Sequence, residues 1–281
     1  GGLGNSDGNG GAAIQRFQAA VSRVPGPMQR WATQIASGSS GITADGTRAS
    51  INARWQSQVL PFCEQALANR YPFNRRAQAD VALQDFQKLF APGGLIDGFI
   101  NENLLKHIDT RSRPWTWKAV NNVDLGMSPA VLRQMQYSVE IRDAFFTSGA
   151  TPAIKFQITP EALDPKARKV VLEIDGQPIQ FSHKDGRATP AAVTWPGSVG
   201  MARVSFEPDK RNIESVVSKD GPWAWFRLLD GAEVRNTNVS DRKRVIFNVG
   251  GRIAIFQLQS GSVLNPFALP ALTKFSCPKS F

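Results

Sequence analysis

Histidine is almost missing from this 281-residue chain, with only His107 and His183, and cysteine and tyrosine are equally scarce at two each. Those shortages bear first on metal and histidine chemistry. No HExxH or Cys-x-x-Cys spacing exists, so the chain lacks the ligand pattern of a dedicated metal site. His107 has Glu102 and Asp109 nearby in sequence, but no nucleophile motif stands beside it to complete an acyl-transfer arrangement. The glycine pairs Gly93-Gly94 and Gly250-Gly251 fit neither GxxxxGK[ST] nor GxGxxG, so they read as turns and not as phosphate cradles. No stretch approaches the ~20 consecutive apolar residues of a membrane helix, and no signal peptide is visible. The first methionine is Met28. The chain therefore reads as a piece of something longer, with any targeting or membrane segment expected upstream.

What is present suffices for two domains, since 42% of residues are hydrophobic. A net charge of +10 invites an anionic partner, but the densest groups, Arg75-Arg76 and Arg242-Lys243-Arg244, are too short to define a nucleic-acid face. The charge reads as a solvated basic surface. Cys63 and Cys277 permit one disulfide, and the sequence leaves open whether they meet.

Residues 1–11 hold six glycines among polar residues and are expected to be a flexible tail. Apolar spacing of three and four then predicts a helix carrying Ile14, Phe17, Val21 and Val24, and another carrying Met28, Trp31 and Ile35. Asp45 is the expected N-cap of a third, with Ile51, Trp55 and Val59 in one stripe. Pro61 restarts a short helix that Arg70-Tyr71-Pro72-Phe73 breaks. Further helices are expected over 77–90, over 95–108, and from the Ser128-Pro129 start signal to about Gly149. Arg70, Arg75 and Arg76 serve either to bind an anion or to cap helix carbonyls.

After Thr151 the period changes from 3.6 to 2. Ile154, Phe156 and Ile158 alternate with polar residues as in a half-buried strand. Asp175-Gly176 and Gly250-Gly251 each join two strand patterns into a hairpin. Strands are also expected over 201–206 and 213–218, with a short buried helix over 222–230 ending at Gly231. The fold class is thus α+β, an N-terminal all-helical domain over 12–149 followed by an antiparallel β-sandwich over 150–281. Of seven tryptophans, Trp31 and Trp55 lie in phase with core stripes, while Trp115 and Trp117 fall on one side of an extended segment.

The order of several short motifs is specific. Trp55 precedes Leu60-Pro61-Phe62-Cys63, then come Arg70-Tyr71-Pro72-Phe73, Asp85-Phe86 and Phe90-Ala91-Pro92-Gly93-Gly94. Ile141-Arg142-Asp143-Ala144-Phe145-Phe146, Asp175-Gly176-Gln177, Trp195-Pro196, Gly221-Pro222-Trp223, Asn265-Pro266-Phe267 and Phe275-Ser276-Cys277-Pro278 follow. From about Trp55 onward this resembles the C-terminal periplasmic region of the IcmF/TssM family of type VI secretion membrane-complex proteins. The resemblance implies a structural role without catalysis or cofactor. It also implies docking of the β domain onto the outer-membrane lipoprotein TssJ, with TssL and other TssM copies joined through the full-length protein. Neither nucleic acid nor a small-molecule substrate is expected.

Loops on a rigid scaffold and open sheet edges carry recognition. The expected partner-binding residues are accordingly Lys184, Asp185 and Arg187 in one polar turn and Arg235, Asn236, Asn238 and Arg242 in another. The competing reading is a periplasmic peptidoglycan-binding or cell-wall-hydrolysing domain that uses Trp115 and Trp117, with Glu102 or Asp109 as its acids.

Overall fold

The computed structural model describes residues 15–16, 19–20, 43–121, 123–186, 188–239, 241–261 and 264–281. The expected glycine-rich tail, the helix around Met28 and most of the helix around Phe17 lie outside the described residues. Among those described, no helix is long and apolar enough to cross a membrane. Helices precede antiparallel sheets, as the change of period requires. Contacts group the chain into two compact units that do not follow chain order. One gathers the described residues up to Gln65 with Leu95–Gln136 and Ser276–Phe281; the other gathers Ala66–Gly94 with Tyr137–Phe275. The expected division at 149/150 lies where helices give way to strands, whereas the packing units group 66–94 and 137–149 with the strands and 276–281 with the first helices.

In the first unit, residues 43–58 form helix α1, and its stripe of Ile51, Trp55 and Val59 is buried as expected. Asp45 is not the N-cap. It lies inside the helix, where it pairs with Arg48 at 2.5 Å three residues on. Helix α2, Leu60–Leu67, follows, and α3, Leu95–Phe99, continues as a π turn over Ile100–Leu104 and a 3-10 turn over Leu105–His107. A small ladder pairs β1, Ile108–Asp109, with β2, Thr116–Trp117, so the helical part is not wholly helical. The Ser128 hydroxyl accepts from Ala130 N at 3.2 Å, capping α4, Pro129–Phe145. Cys63 and Cys277 are bonded with Cα atoms 6.1 Å apart, which settles the pairing left open. Trp55 is fully buried between the rings of Phe99 and Phe281.

The second unit holds an aromatic cluster and the sandwich. A helix expected over 77–90 begins only at Leu83 and ends at Phe90 (α5). The six residues before it are claimed elsewhere. Tyr71 N donates to Ala79 O at 2.9 Å and Val81 N to Tyr71 O at 2.8 Å, a short bridge in place of a helical turn. Arg227 takes the carbonyls of Ala77 and Gln78 as well as the Asp80 carboxylate. Phe86 packs against Phe90, Phe145, Phe146 and Trp223, all within 5.7 Å between ring centres.

The sandwich is built from β3 (Ile154–Leu163), β4 (Lys169–Ile174), β5 (Gln177–Ser182), β6 (Ala191–Trp195) and β7 (Met201–Glu207). It continues with β8 (Val216–Asp220), helix α6 (Ala224–Asp230), β9 (Glu233–Asn236), β10 (Arg242–Val249) and β11 (Arg252–Ser260). One sheet runs β6-β3-β11-β10-β9 and the other β5-β4-β7-β8, all antiparallel. Inward residues alternate strictly, as with Val170, Leu172 and Ile174 on β4. The last strand of the second sheet starts at Val216 and not at 213, because Asn212 has φ 66° and the chain is still turning there.

Candidate functional site

The sandwich has two ends, told apart by the turns that share hydrogen bonds. At one, the His183 ring lies 3.0 Å from Ala167 O, Arg168 N donates to Glu207 O, and Arg252 reaches Pro208 O at 2.7 Å. Lys184 and Asp185 sit here, in the turn after β5. The Asp185 carboxylate accepts from Ser182 N at 2.6 Å and Lys184 N donates to the Ser182 hydroxyl at 3.3 Å, so both residues close their own turn. Arg187 lies outside the described residues. At the other end, Asp241 O accepts from Ser260 N and Lys155 O accepts from Gly261 N. Arg235, Asn236, Asn238 and Arg242 belong to this end. The structure therefore brings together four of the expected residues and separates Lys184 and Asp185 from them.

Strand β9 is the margin of the five-stranded sheet, and all four of its residues are exposed. In register, Arg235 stands opposite Arg244 and Asn236 opposite Lys243. Like charges directly opposite repel, and each arginine is given its own carboxylate: Arg235 holds Glu233 at 2.6 Å and Arg244 holds Glu161 at 2.6 Å. The hydrogen bond from Arg235 keeps the Glu233 carboxyl below its usual range, and Glu233 raises Arg235 in return. Lys243 Nζ donates to Asn236 Oδ1 at 2.7 Å. Asn238 is exposed in the turn beyond, which Thr237 ties by accepting from Val239 N and donating to Arg242 O.

Two polar atoms in this turn stay unmet. Among the described residues, Asp241 Oδ1 and Arg242 Nε are buried without a hydrogen-bond partner, an arrangement that costs free energy. Val239 beside them is 46% exposed, and Val234 on β9 is 40% exposed. Sequence reasoning passed over both valines because it took this stretch as a polar turn. Their place at the margin of the sheet, beyond which no further strand lies among the described residues, is invisible in the pattern.

The remaining candidates resolve into structure. Arg70 donates to Asp80 O and Arg75 pairs with Asp230 at 3.2 Å, so neither caps the helix before them. His107 is 6% exposed, and burial together with Lys106 and Lys118 lowers its pKa. Trp117 Nε1 donates to Ser128 O, Trp115 is half-buried, and Glu102 is exposed. Asp109 accepts from Arg111 N in its own turn. Among the described residues no group of His, Cys, Asp or Glu has the geometry to hold a metal ion.

Comparison with known proteins decides the relationship. Residues 46–151 match the helical domain, and residues 156–262 the C2-like domain, of the type VI secretion protein IcmF. The type VI secretion system component TssM1 of Pseudomonas aeruginosa is 31% identical over 280 residues, 99% of this chain. The chain belongs to the IcmF/TssM family. It spans about a quarter of that curated relative, 25% of its length. In fold it is similar to the TssM C-terminal domain from EAEC, with a TM-score of 0.72 at 22% identity, covering 83% of this chain and 98% of that one. It is likewise similar to a chain of a type VI membrane complex, with a TM-score of 0.76 at 21% identity, covering 90% of this chain and 53% of that one.

Proposed function

We propose that this chain is a non-enzymatic structural part of a type VI secretion membrane complex, situated in the periplasm. In this reading it docks onto the outer-membrane lipoprotein TssJ through the β9–β10 end of its sandwich. The observation that carries the reading is the similarity to TssM1 across 99% of the chain, helices and strands together. The β9 margin supports it with exposed valines and a rim of both charge signs, the composition of an interface core and edge. TssL and further TssM copies are partners of the longer protein.

Co-purification with TssJ tests this. Arg235→Glu and Arg242→Glu are each expected to weaken capture by about tenfold, the scale of one charged interface contact, while Lys184→Glu at the far end leaves it unchanged. If neither margin variant alters capture, the β9 end is not the site. If wild type captures no TssJ and instead sediments with peptidoglycan, in a manner lost on Glu102→Gln or Asp109→Asn, the cell-wall reading replaces docking.

A further inference from the structure

The segment Ser276–Phe281 has no regular structure of its own, yet it is held by side chains that read its backbone. Asn52 forms a two-point contact with Phe281: the Phe281 N–H donates to Asn52 Oδ1 at 2.7 Å and Asn52 Nδ2 donates to Phe281 O at 3.3 Å. A side-chain amide used this way imitates one rung of a β-ladder. One turn on, Trp55 Nε1 donates to Pro278 O at 2.7 Å and Gln56 Nε2 to Lys279 O at 3.3 Å. Residues three and four apart share a helix face, so Asn52, Trp55 and Gln56 form a row of polar tips along α1. Gln134 Oε1 accepts from Ser276 N at 2.8 Å at the segment's start. Between these contacts the Phe281 ring sits edge-on to Trp55 and tilted against Phe99, with 9% of the residue exposed.

Main-chain bonds plus one aromatic pocket are the means by which proteins bind extended peptides. Here the bound peptide is the chain itself. A single covalent bond, Cys63–Cys277, fastens it at its second residue. Six hydrogen bonds, the Lys279–Glu64 ion pair among them, and one buried ring stand against the entropy of ordering six residues, and these opposing contributions are of similar size. The disulfide is a second attachment beside the peptide bond to buried Phe275, and it raises the segment's effective concentration at the groove.

We propose that the face of α1 carrying Asn52, Trp55 and Gln56, closed by Phe99, is a binding groove for an extended peptide with an aromatic residue at the place of Phe281. It is occupied in cis by Ser276–Phe281 and latched by the Cys63–Cys277 disulfide. A dithiol opens the latch: it supplies two electrons and two protons, the S–S bond becomes two thiols, and the dithiol closes to its own cyclic disulfide. The released groove accepts the same segment from a second copy of the chain. This inference does not depend on the docking proposal.

The test uses the whole chain, oxidised and after dithiothreitol, with hydrogen exchange followed at the Ser276 and Phe281 amides. Alongside it, a labelled synthetic peptide of residues 276–281 carrying serine in place of Cys277 is titrated by fluorescence anisotropy. Reduction is expected to speed exchange at those two amides at least tenfold while the α4 and β11 amides keep their rates. The peptide is expected to bind the reduced chain at least tenfold more tightly than the oxidised one, and Asn52→Ala to abolish that capture. Unchanged exchange on reduction would overturn the latch. Loss of protection throughout the chain would make the disulfide a staple of the fold and overturn it equally. Release without peptide capture would overturn the groove.

Discussion

Replacing Arg227 by methionine tests how a distant side chain sets local structure. The guanidinium reaches Asp80 Oδ1 through Nε at 2.9 Å and Nη2 at 2.5 Å, Ala77 O through both Nη atoms at 3.1 Å, and Gln78 O at 3.0 Å. It also lies 4.1 Å from the centre of the Tyr71 ring. With side chains 17% and 13% exposed, the Arg227–Asp80 pair is largely removed from water. Breaking such a pair from one side costs about 3 kcal/mol, at the low end for buried pairs because some solvent remains. Methionine keeps the apolar stem, so lost packing contributes little. Asp80→Asn, which keeps the shape and one acceptor, should cost about 1–2 kcal/mol. Because the two act on one contact, the double variant should lose about 3 kcal/mol and not the sum, a coupling of about 1–2 kcal/mol. Hydrogen exchange at the Tyr71 and Val81 amides, which close the bridge, reads this directly. Arg227→Met should lower their protection roughly a hundredfold, at tenfold per about 1.4 kcal/mol. A loss under about threefold, or losses in the two single variants that simply add, would refute the claim that Arg227 holds this segment.

Other expectations follow from single residues. Burial lowers the His107 pKa, so the unfolded chain takes up a proton below about pH 6.5 that the folded chain resists. Stability should thus fall as pH drops from 6.5 towards the lowered folded value, and His107→Gln should flatten the urea midpoint between pH 7 and 5.5. Gly250→Ala should destabilise the β10–β11 hairpin by about 1–3 kcal/mol, since Gly250 has φ 55° and an added Cβ would lie 2.2 Å from Glu214 O; thermal unfolding measures it. Ser128→Ala removes the cap of α4 and should cost about 1 kcal/mol, read as a lower urea midpoint.

Local chemistry was legible in the sequence where it was sufficient. The two hairpins could be read because their turns demand left-handed residues, and Asp175, Gly176, Gly250 and Gly251 have φ of 50°, 81°, 55° and 73°. The buried stripe of α1 and the cap of α4 were equally local. Strands β6 and β9 escaped notice because they are five and four residues long and lie at sheet margins; β9 is exposed throughout, and β6 buries only Val193 and Trp195. The start of α5 was misplaced because Arg227, some 150 residues later, takes the carbonyls a helix would need. At the candidate site the charged residues were legible as a polar turn. The exposed valines and the unmet Asp241 and Arg242 atoms were not, because a margin exists only once the sheet is assembled.

The Cys63–Cys277 bond closes a loop with a sequence separation of 214 residues, and every strand of both sheets of the sandwich lies inside it. Tension entering the chain beyond Cys277 and leaving before Cys63 therefore passes through one sulfur pair and never loads the strands between. Fully drawn out, the sheltered contour would be about 700 Å. While the bond stands, that length stays hidden, and the sandwich is mechanically bypassed however hard the flanking chain is pulled.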